Sequence, residues 1–178
     1  PLGLASISAW LEQRGTETAI IDSYANPDSD LLIQRYLHEK RPAYLGVSCT
    51  TSSFHDGVRI ASLAKKVLPE IKVVFGGPHV SALKGKILEG YPLIDFSVIG
   101  EGEVTLSELI ESGGEDAADI EGLAYRDSGN EIHVNPYRTK LLDLDTLPFP
   151  AYSKLDGYPD AYKLPIFNYP VSPNTSCI

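Results

Sequence analysis

The sequence predicts an α/β fold built on a doubly wound parallel β-sheet. Short apolar runs alternate four times with segments of helical periodicity, and the runs lie at residues 18–22, 43–47, 72–75 and 95–99. Near-continuous apolar runs are typical of parallel strands that helices cover on both faces. Because crossovers between parallel strands are right-handed, the alternation favours a doubly wound sheet.

The helices are predicted by apolar stripes and by their end signals. Leu4, Ile7 and Leu11 recur at helical spacing, and Gly15 is placed to end that helix in a left-handed conformation. Asp28 or Ser29 can cap a second helix. Three further helices are predicted from the apolar stripes at 54–68, 83–90 and 106–110.

One strand of the doubly wound pattern has no counterpart in the sequence. The first helix should follow a strand, yet the helical pattern begins at the first residues. In the flavodoxin-like strand order, the first strand lies between the second and the third. We therefore expect a further strand upstream of Pro1, in a longer protein.

The pattern changes after residue 114. Two alternating segments, 123–126 and 131–134, flank Asp127-Ser128-Gly129-Asn130, which is a hairpin signal. Beyond it the chain is acidic, rich in proline and aperiodic, as in tails that wrap a neighbouring domain. The expected organisation is a Rossmann-like domain over 1–114, a β-hairpin extension over 115–140 and a linker over 141–178.

Composition excludes several classes of partner. The formal net charge is -9 and the pI is about 4.8, whereas a nucleic-acid partner requires a clustered basic surface. The sequence contains no 18-residue apolar run and no signal-peptide pattern, so we expect no membrane partner and a cytoplasmic protein. Cys49 and Cys177 are far apart and predict neither a disulfide framework nor a self-contained metal site.

The candidate ligand site centres on Gly76 and Gly77, where the third predicted apolar run ends. Ligands of open α/β sheets bind at the carboxyl ends of the strands. Glycines there permit positive φ and leave room for a ligand to approach the backbone. The same pair could also form a tight strand-to-helix turn, and the pair alone does not distinguish the two interpretations.

Six phrases stand in order along the chain: Pro1-Leu2-Gly3-Leu4, Gly46-Val47-Ser48-Cys49-Thr50-Thr51, Gly76-Gly77-Pro78-His79, Gly100-Glu101-Gly102-Glu103, Gly122-Leu123-Ala124-Tyr125-Arg126 and Leu147-Pro148-Phe149-Pro150. Together they resemble the N-terminal cobalamin-binding domain of cobalamin-dependent radical SAM proteins. That group includes methyltransferases and the anaerobic magnesium-protoporphyrin monomethyl ester cyclases. The resemblance covers essentially the whole chain.

The resemblance implies that cobalamin is the cofactor of this domain. Corrin is a broad, mostly apolar macrocycle with amide side arms, and it needs a platform free of bulky side chains. The residues expected to bind it are Ser48, Thr50, Thr51, Gly76, Gly77, Pro78, His79, Gly100, Glu101 and Gly102. Glu103 follows them in a first helical turn, where an acid simply favours the helix dipole.

The resemblance also implies a partner domain in the parent protein. There, a radical SAM barrel beyond the Leu-Pro-Phe-Pro phrase would hold a [4Fe–4S] cluster and S-adenosylmethionine and generate a 5′-deoxyadenosyl radical. This sequence has no Cys-x-x-x-Cys-x-x-Cys loop, and Cys177 is interpreted as part of the strand before it. The domain would hold cobalamin as a methyl donor or redox partner for a small-molecule substrate in the barrel.

The histidines and three other classes of protein bear on this hypothesis. No histidine fits the Asp-x-His-x-x-Gly phrase of cobalamin mutases, and only His79 lies near the expected platform, as a contact or as a loop histidine. A cobalamin-free docking or regulatory domain of the same fold stays open. A nucleotide- or flavin-binding domain lacks its phosphate-binding phrases. A receiver domain would need an aspartate where Ser48 stands.

Overall fold

The computed structural model describes residues 1–139 and 143–162 and confirms an α/β fold. The six α-helices of these residues are α1 (Leu2–Gln13), α2 (Ser29–Lys40), α3 (Phe54–Val67), α4 (Pro78–Leu83), α5 (Lys86–Gly90) and α6 (Gly102–Glu111). The five strands are β1 (Tyr44–Ser48), β2 (Lys72–Gly76), β3 (Phe96–Val98), β4 (Leu123–Arg126) and β5 (Ile132–Val134).

The strands form one mostly parallel sheet in the order β1-β2-β3-β4-β5. β1, β2 and β3 are parallel, with Ser48 opposite Gly76 in the register. The predicted hairpin is confirmed as β4 and β5, and its first strand pairs antiparallel with β3, so the hairpin extends the same sheet. The carboxyl ends of β1 to β3 therefore meet at one edge.

The predicted strand at 18–22 is wrong. The structure assigns no strand there, and Ala19 is exposed while Ile20 and Ile21 are half-buried. Within the described residues this segment joins no ladder, and the Thr18 carbonyl accepts a hydrogen bond from the Lys154 side chain instead. An apolar run predicts burial, whereas a strand also requires a partner for its backbone groups.

The helix predicted over 83–90 is divided into α4 and α5. Lys84 lies between them with φ +55°, a left-handed conformation that ends α4. Its backbone N–H donates to the Val80 carbonyl at 2.7 Å, which closes the last turn. Apolar spacing alone does not reveal this break, because Leu83, Ile87 and Leu88 keep helical spacing across it.

By its contacts the chain divides into two compact units, with the boundary inside α2. The described part of the first unit comprises residues 1–32 and 143–162. Gly15 ends α1 with φ +83°, as predicted, and the Thr16 N–H donates to the Leu11 carbonyl in a Schellman pattern. Lys154 forms an ion pair with Glu12 and lowers the pKa of that carboxyl.

The second unit, residues 33–139 in its described part, contains the sheet. One face of the sheet packs against α6, and its buried cluster comprises Val74, Phe96, Val98, Leu109, Ala117, Ile120 and Leu123. Tyr44 packs on this cluster, and its hydroxyl donates to the Leu109 carbonyl at 3.3 Å. We call this side the α6 face. Burial raises the pKa of Tyr44.

The opposite side, the α3 face, is set by a close approach of α3. A Cβ on Gly57 would lie 2.9 Å from Val47 Cγ1 and 3.2 Å from the Phe75 ring, so glycine lets the helix approach the sheet. Phe75 is fully buried there. Burial of a phenylalanine side chain stabilises a fold by about 1.5–3 kcal/mol. Among the described residues no helix has both the length and the apolar character to cross a membrane.

Candidate functional site at the carboxyl edge of the sheet

The loops that follow β1, β2 and β3 come together at one edge of the sheet, as parallel strands require. The residues predicted to bind the ligand lie in these loops or in the strand ends and helix starts that flank them: Ser48, Thr50, Thr51, Gly76, Gly77, Pro78, His79, Gly100, Glu101 and Gly102. The first two loops are bonded directly, since the Cys49 N–H donates to the Gly76 carbonyl at 3.2 Å. We call this region the carboxyl-edge site.

The two adjacent glycines have different roles in the structure. Gly77 has φ +97° and ψ -179°, and a Cβ there would lie 2.7 Å from the Cys49 carbonyl oxygen. Glycine is therefore required at this position by the turn itself. At Gly76 a Cβ would meet only Val98 Cβ, at 4.0 Å. Gly76 leaves space beside the strand that the fold does not need.

Gly46, which the sequence analysis did not select as a site residue, lies on the same sheet face as two residues that it did select. Side chains alternate across a strand, so Gly46 and Ser48 lie on the same face as Tyr44, which is the α6 face. Gly76 lies on this face too, because it is two residues from Val74. A Cβ on Gly46 would meet nothing within 4 Å, and Gly46 is exposed. The sequence signal that could have identified Gly46 is its position two residues before Ser48 in the same strand.

These three residues, Gly46, Ser48 and Gly76, form an uncovered strip that we call the glycine strip. Parallel sheets are normally covered on both faces, so an exposed glycine inside a strand is unusual. Ser48 is exposed, and within residues 1–139 and 143–162 its hydroxyl has no hydrogen-bond partner. The strip thus offers a narrow flat surface with one hydroxyl at its end.

Thr50 stabilises its own loop. Its N–H donates to Ser53 Oγ at 3.0 Å, and its hydroxyl lies 3.0 Å from Ser52 Oγ and 3.2 Å from Ser53 Oγ. These bonds order the loop just before α3 begins at Phe54. Because the Thr50 hydroxyl is engaged locally, this residue shapes the loop that carries the other site residues.

Thr51 and His79 connect the first two loops. Thr51 Oγ1 lies 3.1 Å from His79 Nδ1, and the His79 ring is 4.5 Å from the ring of the buried Phe54. Phe54 also contacts Phe75 and Tyr91, with ring centroids 5.9 and 5.1 Å away. Phe54 appeared in the sequence only as part of a helical stripe, so its role beneath His79 needed the structure.

The third loop is held to α4 and leads into α6. Gly100 has φ +84°, and its N–H donates to Ser81 Oγ at 3.0 Å. Glu101 is exposed at the N-cap of α6, whereas Glu103 is buried at 8% exposure. Burial raises the pKa of Glu103, and the Glu101 carboxylate adds to the effect, although backbone N–H groups of the helix start oppose it.

Two other titratable features lie apart from these contacts. Cys49 is buried, and this burial raises the pKa of its thiol, so it behaves as a small apolar residue. Cys177 lies outside the described residues. In the hairpin, His133 Nε2 is 2.9 Å from Asp127 Oδ2 and Glu131 is nearby, with ligand-type atoms within 4.8 Å. Asp127 also accepts the Glu131 N–H, so the cluster closes the hairpin turn.

The fold and the site together define a class. A mostly parallel Rossmann-like sheet carries a small-residue platform at the carboxyl ends of its strands, which is where such sheets bind flat cofactors. The sequence profile of the B12 binding domain family matches residues 1–110. The chain belongs to the B12-binding domain family.

Relatives of known name are longer than this chain. An uncharacterized methyltransferase of Pyrococcus horikoshii is 32% identical over 168 residues, which are 89% of this chain and 36% of that protein. The cobalamin-dependent radical SAM methyltransferase TokK of Streptomyces tokunonensis is 35% identical over 112 residues, 61% of this chain and 16% of TokK. The chain therefore spans about a third or less of these proteins.

A solved structure has the same fold. The cobalamin-dependent S-adenosylmethionine radical enzyme OxsB, with aqua-cobalamin and S-adenosylmethionine bound, matches with a TM-score of 0.71. The match covers 85% of this chain and 21% of OxsB, at 19% sequence identity. At this identity the likeness concerns the fold alone.

Proposed function

We propose that this chain binds cobalamin at the carboxyl-edge site and serves as the cofactor domain of a larger radical SAM enzyme. The observation that carries the proposal is the glycine strip within a B12-binding domain: Gly46 inside β1 and Gly76 at the end of β2 leave open space near the exposed Ser48 hydroxyl. Cobalamin needs a flat platform without bulky side chains, and these residues fit that requirement.

The residues of the site would act by binding and orienting the cofactor. Gly46 and Gly76 would admit a flat group against the strand backbone, and Ser48 would offer a hydroxyl to one of its polar atoms. Thr50 and Gly77 would hold the two loops in shape. Bound cobalamin supplies a cobalt centre for methyl transfer or for electron transfer, while the protein supplies position and environment.

The parent enzyme is proposed to be a methyltransferase or a related radical SAM enzyme. The two relatives described above are methyltransferases by name, and one of them carries the words cobalamin-dependent radical SAM. A radical SAM barrel in the same longer chain would bind a [4Fe–4S] cluster, S-adenosylmethionine and the small-molecule substrate. The test is to reconstitute the full-length protein anaerobically with iron and sulfide, to reduce its cluster with dithionite and to measure 5′-deoxyadenosine formed from S-adenosylmethionine, with a cluster-free sample treated in the same way as control. No product from the cluster-loaded protein would contradict the radical SAM assignment.

Cofactor binding is tested by titrating the 178-residue chain with hydroxocobalamin and following the visible absorption bands. We expect saturable binding that Gly76→Leu abolishes, because the new side chain fills the open space of the glycine strip. Gly90→Leu is the matched control, since a Cβ on Gly90 meets nothing within 4 Å and Gly90 is the last residue of α5. Absence of binding by the folded, unsubstituted chain would instead favour a cobalamin-free docking or regulatory domain.

A further inference from the structure

The contact between Thr51 and His79 lies on the opposite side of the sheet from the glycine strip. Phe75 packs against Gly57 on the α3 face, Phe54 packs against Phe75, and His79 packs against Phe54. The imidazole therefore stands at the rim of the carboxyl-edge site above the α3 face. The glycine strip faces α6. A ligand that occupies both places must extend across the strand ends.

The ring of His79 is fixed in a way that leaves one nitrogen for a ligand. Nδ1 lies 3.1 Å from Thr51 Oγ1, and the ring packs on the Phe54 ring at an angle of 44°, with the ring centroids 4.5 Å apart. His79 is half-buried, so part of the ring stays accessible. A histidine whose one nitrogen is hydrogen-bonded and whose ring is packed presents the other nitrogen in a defined direction.

We propose that His79 Nε2 forms a hydrogen bond with a side-chain amide of the corrin macrocycle. This inference rests on the proposed function. An amide both donates and accepts hydrogen bonds, so it satisfies Nε2 whether that nitrogen carries the proton or not. The Thr51 hydroxyl can donate to Nδ1 or accept from it, so both tautomers are available; an amide pairs with Nε2 in either one, whereas a phosphate oxygen pairs only with a protonated Nε2. The position of His79 at the rim, opposite the glycine strip, also favours the broad macrocycle over a narrow group lying along the strip.

The experiment compares two ligands, hydroxocobalamin and aquohydroxocobinamide, which has the same amide-bearing corrin but no nucleotide. Dissociation constants are measured for the unsubstituted chain and for the variants His79→Ala, His79→Phe and Thr51→Val. His79→Phe keeps an aromatic ring against Phe54 and so separates the hydrogen bond from the packing. His55→Ala is the control, because His55 also contacts the Phe54 ring, at 5.9 Å, but is exposed in α3.

We expect both His79 variants to weaken both ligands by the same factor, about two- to tenfold, which is the contribution of one neutral hydrogen bond. Thr51→Val should weaken both less, because Phe54 still supports the ring, and His55→Ala should change neither. Unchanged affinity in His79→Phe would reduce His79 to a structural contact and overturn the proposal. A loss for hydroxocobalamin alone would place the contact on the nucleotide and overturn it too.

A spectroscopic measurement tests whether His79 binds cobalt directly. Cob(II)inamide has no nucleotide, so any nitrogen hyperfine splitting in the electron paramagnetic resonance spectrum of its complex must come from a nitrogen of the protein. We expect none. A splitting that disappears in His79→Phe would make His79 a cobalt ligand and overturn the amide assignment. If the folded, unsubstituted chain binds neither ligand, the proposed function itself is contradicted, and this result is seen before any variant is compared.

Discussion

The Cys49 carbonyl oxygen lies 2.7 Å from the position that a Cβ on Gly77 would occupy. Gly77 also has φ +97°, so two independent constraints exclude a side chain there. Gly76, its neighbour, has neither constraint and meets only Val98 at 4.0 Å. Of these two adjacent glycines, Gly77 is therefore required by the backbone, whereas Gly76 leaves open space beside the strand. This difference gives the first prediction.

Gly77→Ala should destabilise the chain, whereas Gly76→Ala should not. Strain in a glycine-only backbone region costs about 1–3 kcal/mol, before any clash with Cys49. For a chain of this size, each kcal/mol shifts the Tm by about 2–4 °C. We expect a decrease of about 5–10 °C for Gly77→Ala by circular dichroism. Equal melting temperatures for the two variants would contradict the assignment of separate roles.

Gly46→Val should increase stability and weaken cobalamin binding. Gly46 is exposed inside β1 with nothing within 4 Å of its Cβ position, so a β-branched residue fits the strand. The exchange removes backbone entropy from the unfolded chain and favours the strand by about 0.5–1 kcal/mol. The new side chain also covers the glycine strip next to Ser48, so we expect at least about a tenfold loss of affinity for hydroxocobalamin, equivalent to about 1.4 kcal/mol.

Opposite changes in stability and affinity are hard to obtain from a purely structural residue. The check is a pair of measurements on one sample, thermal unfolding without ligand and a hydroxocobalamin titration. A Gly46→Val chain that binds as tightly as the parent would remove Gly46 from the site. Gly90→Val is the control, because a Cβ on Gly90 meets nothing within 4 Å and Gly90 is the last residue of α5.

Much of the fold was accessible from the sequence because it depends on local patterns. The left-handed end of α1 at Gly15 and the hairpin turn at 127–130 each depend on residues only a few positions apart. The segment 18–22 shows where this reasoning fails, since its apolar residues predict burial but its backbone finds no ladder. Lys84 shows a second failure, because a left-handed lysine has no sequence signal.

The site could be located from the sequence but not resolved into roles. The loops after β1, β2 and β3 were predicted to meet, and parallel pairing brings them together. The separate roles of Gly76 and Gly77 depend on φ and on Cys49, which the sequence does not encode locally. Gly46 could have been found by counting back two residues from Ser48 along the predicted strand.

Asp95→Ala should destabilise the second unit more than removal of its lysine partner. Asp95 Oδ2 accepts the N–H of the buried Val73 at 2.6 Å and contacts Lys65 Nζ at 2.8 Å. Loss of the carboxylate leaves the Val73 N–H unpaired, which costs about 1–3 kcal/mol. Lys65→Met removes only a partly exposed ion pair, worth about 0–1 kcal/mol.

Chemical denaturation of Asp95→Ala, Asp95→Asn and Lys65→Met measures these differences. Asp95→Asn keeps an oxygen acceptor for Val73 and should lie between the other two. If Lys65→Met were as destabilising as Asp95→Ala, the ion pair rather than the backbone hydrogen bond would be the main contribution, contrary to this prediction.

Glu103→Gln should stabilise the folded chain near neutral pH and remove part of its pH dependence. Burial raises the pKa of Glu103 above its usual value of 4.5, with a further contribution from Glu101. The folded state then binds more protons than the unfolded state between the two pKa values, so stability falls as pH rises through this window. Glutamine carries no charge and can still accept a backbone N–H of the α6 start.

The measurement is the Tm of the unsubstituted chain and of the Glu103→Gln variant from pH 4 to pH 8. We expect the difference between them to be small at the acidic end, to grow as pH rises through the raised pKa of Glu103 and then to level off. Each kcal/mol gained should raise the Tm by about 2–4 °C. Glu101→Gln serves as the comparison, because Glu101 is exposed and its loss only relieves the repulsion on Glu103. A Glu103→Gln chain that is less stable at every pH would mean that the carboxylate stabilises the α6 start more than its burial opposes it.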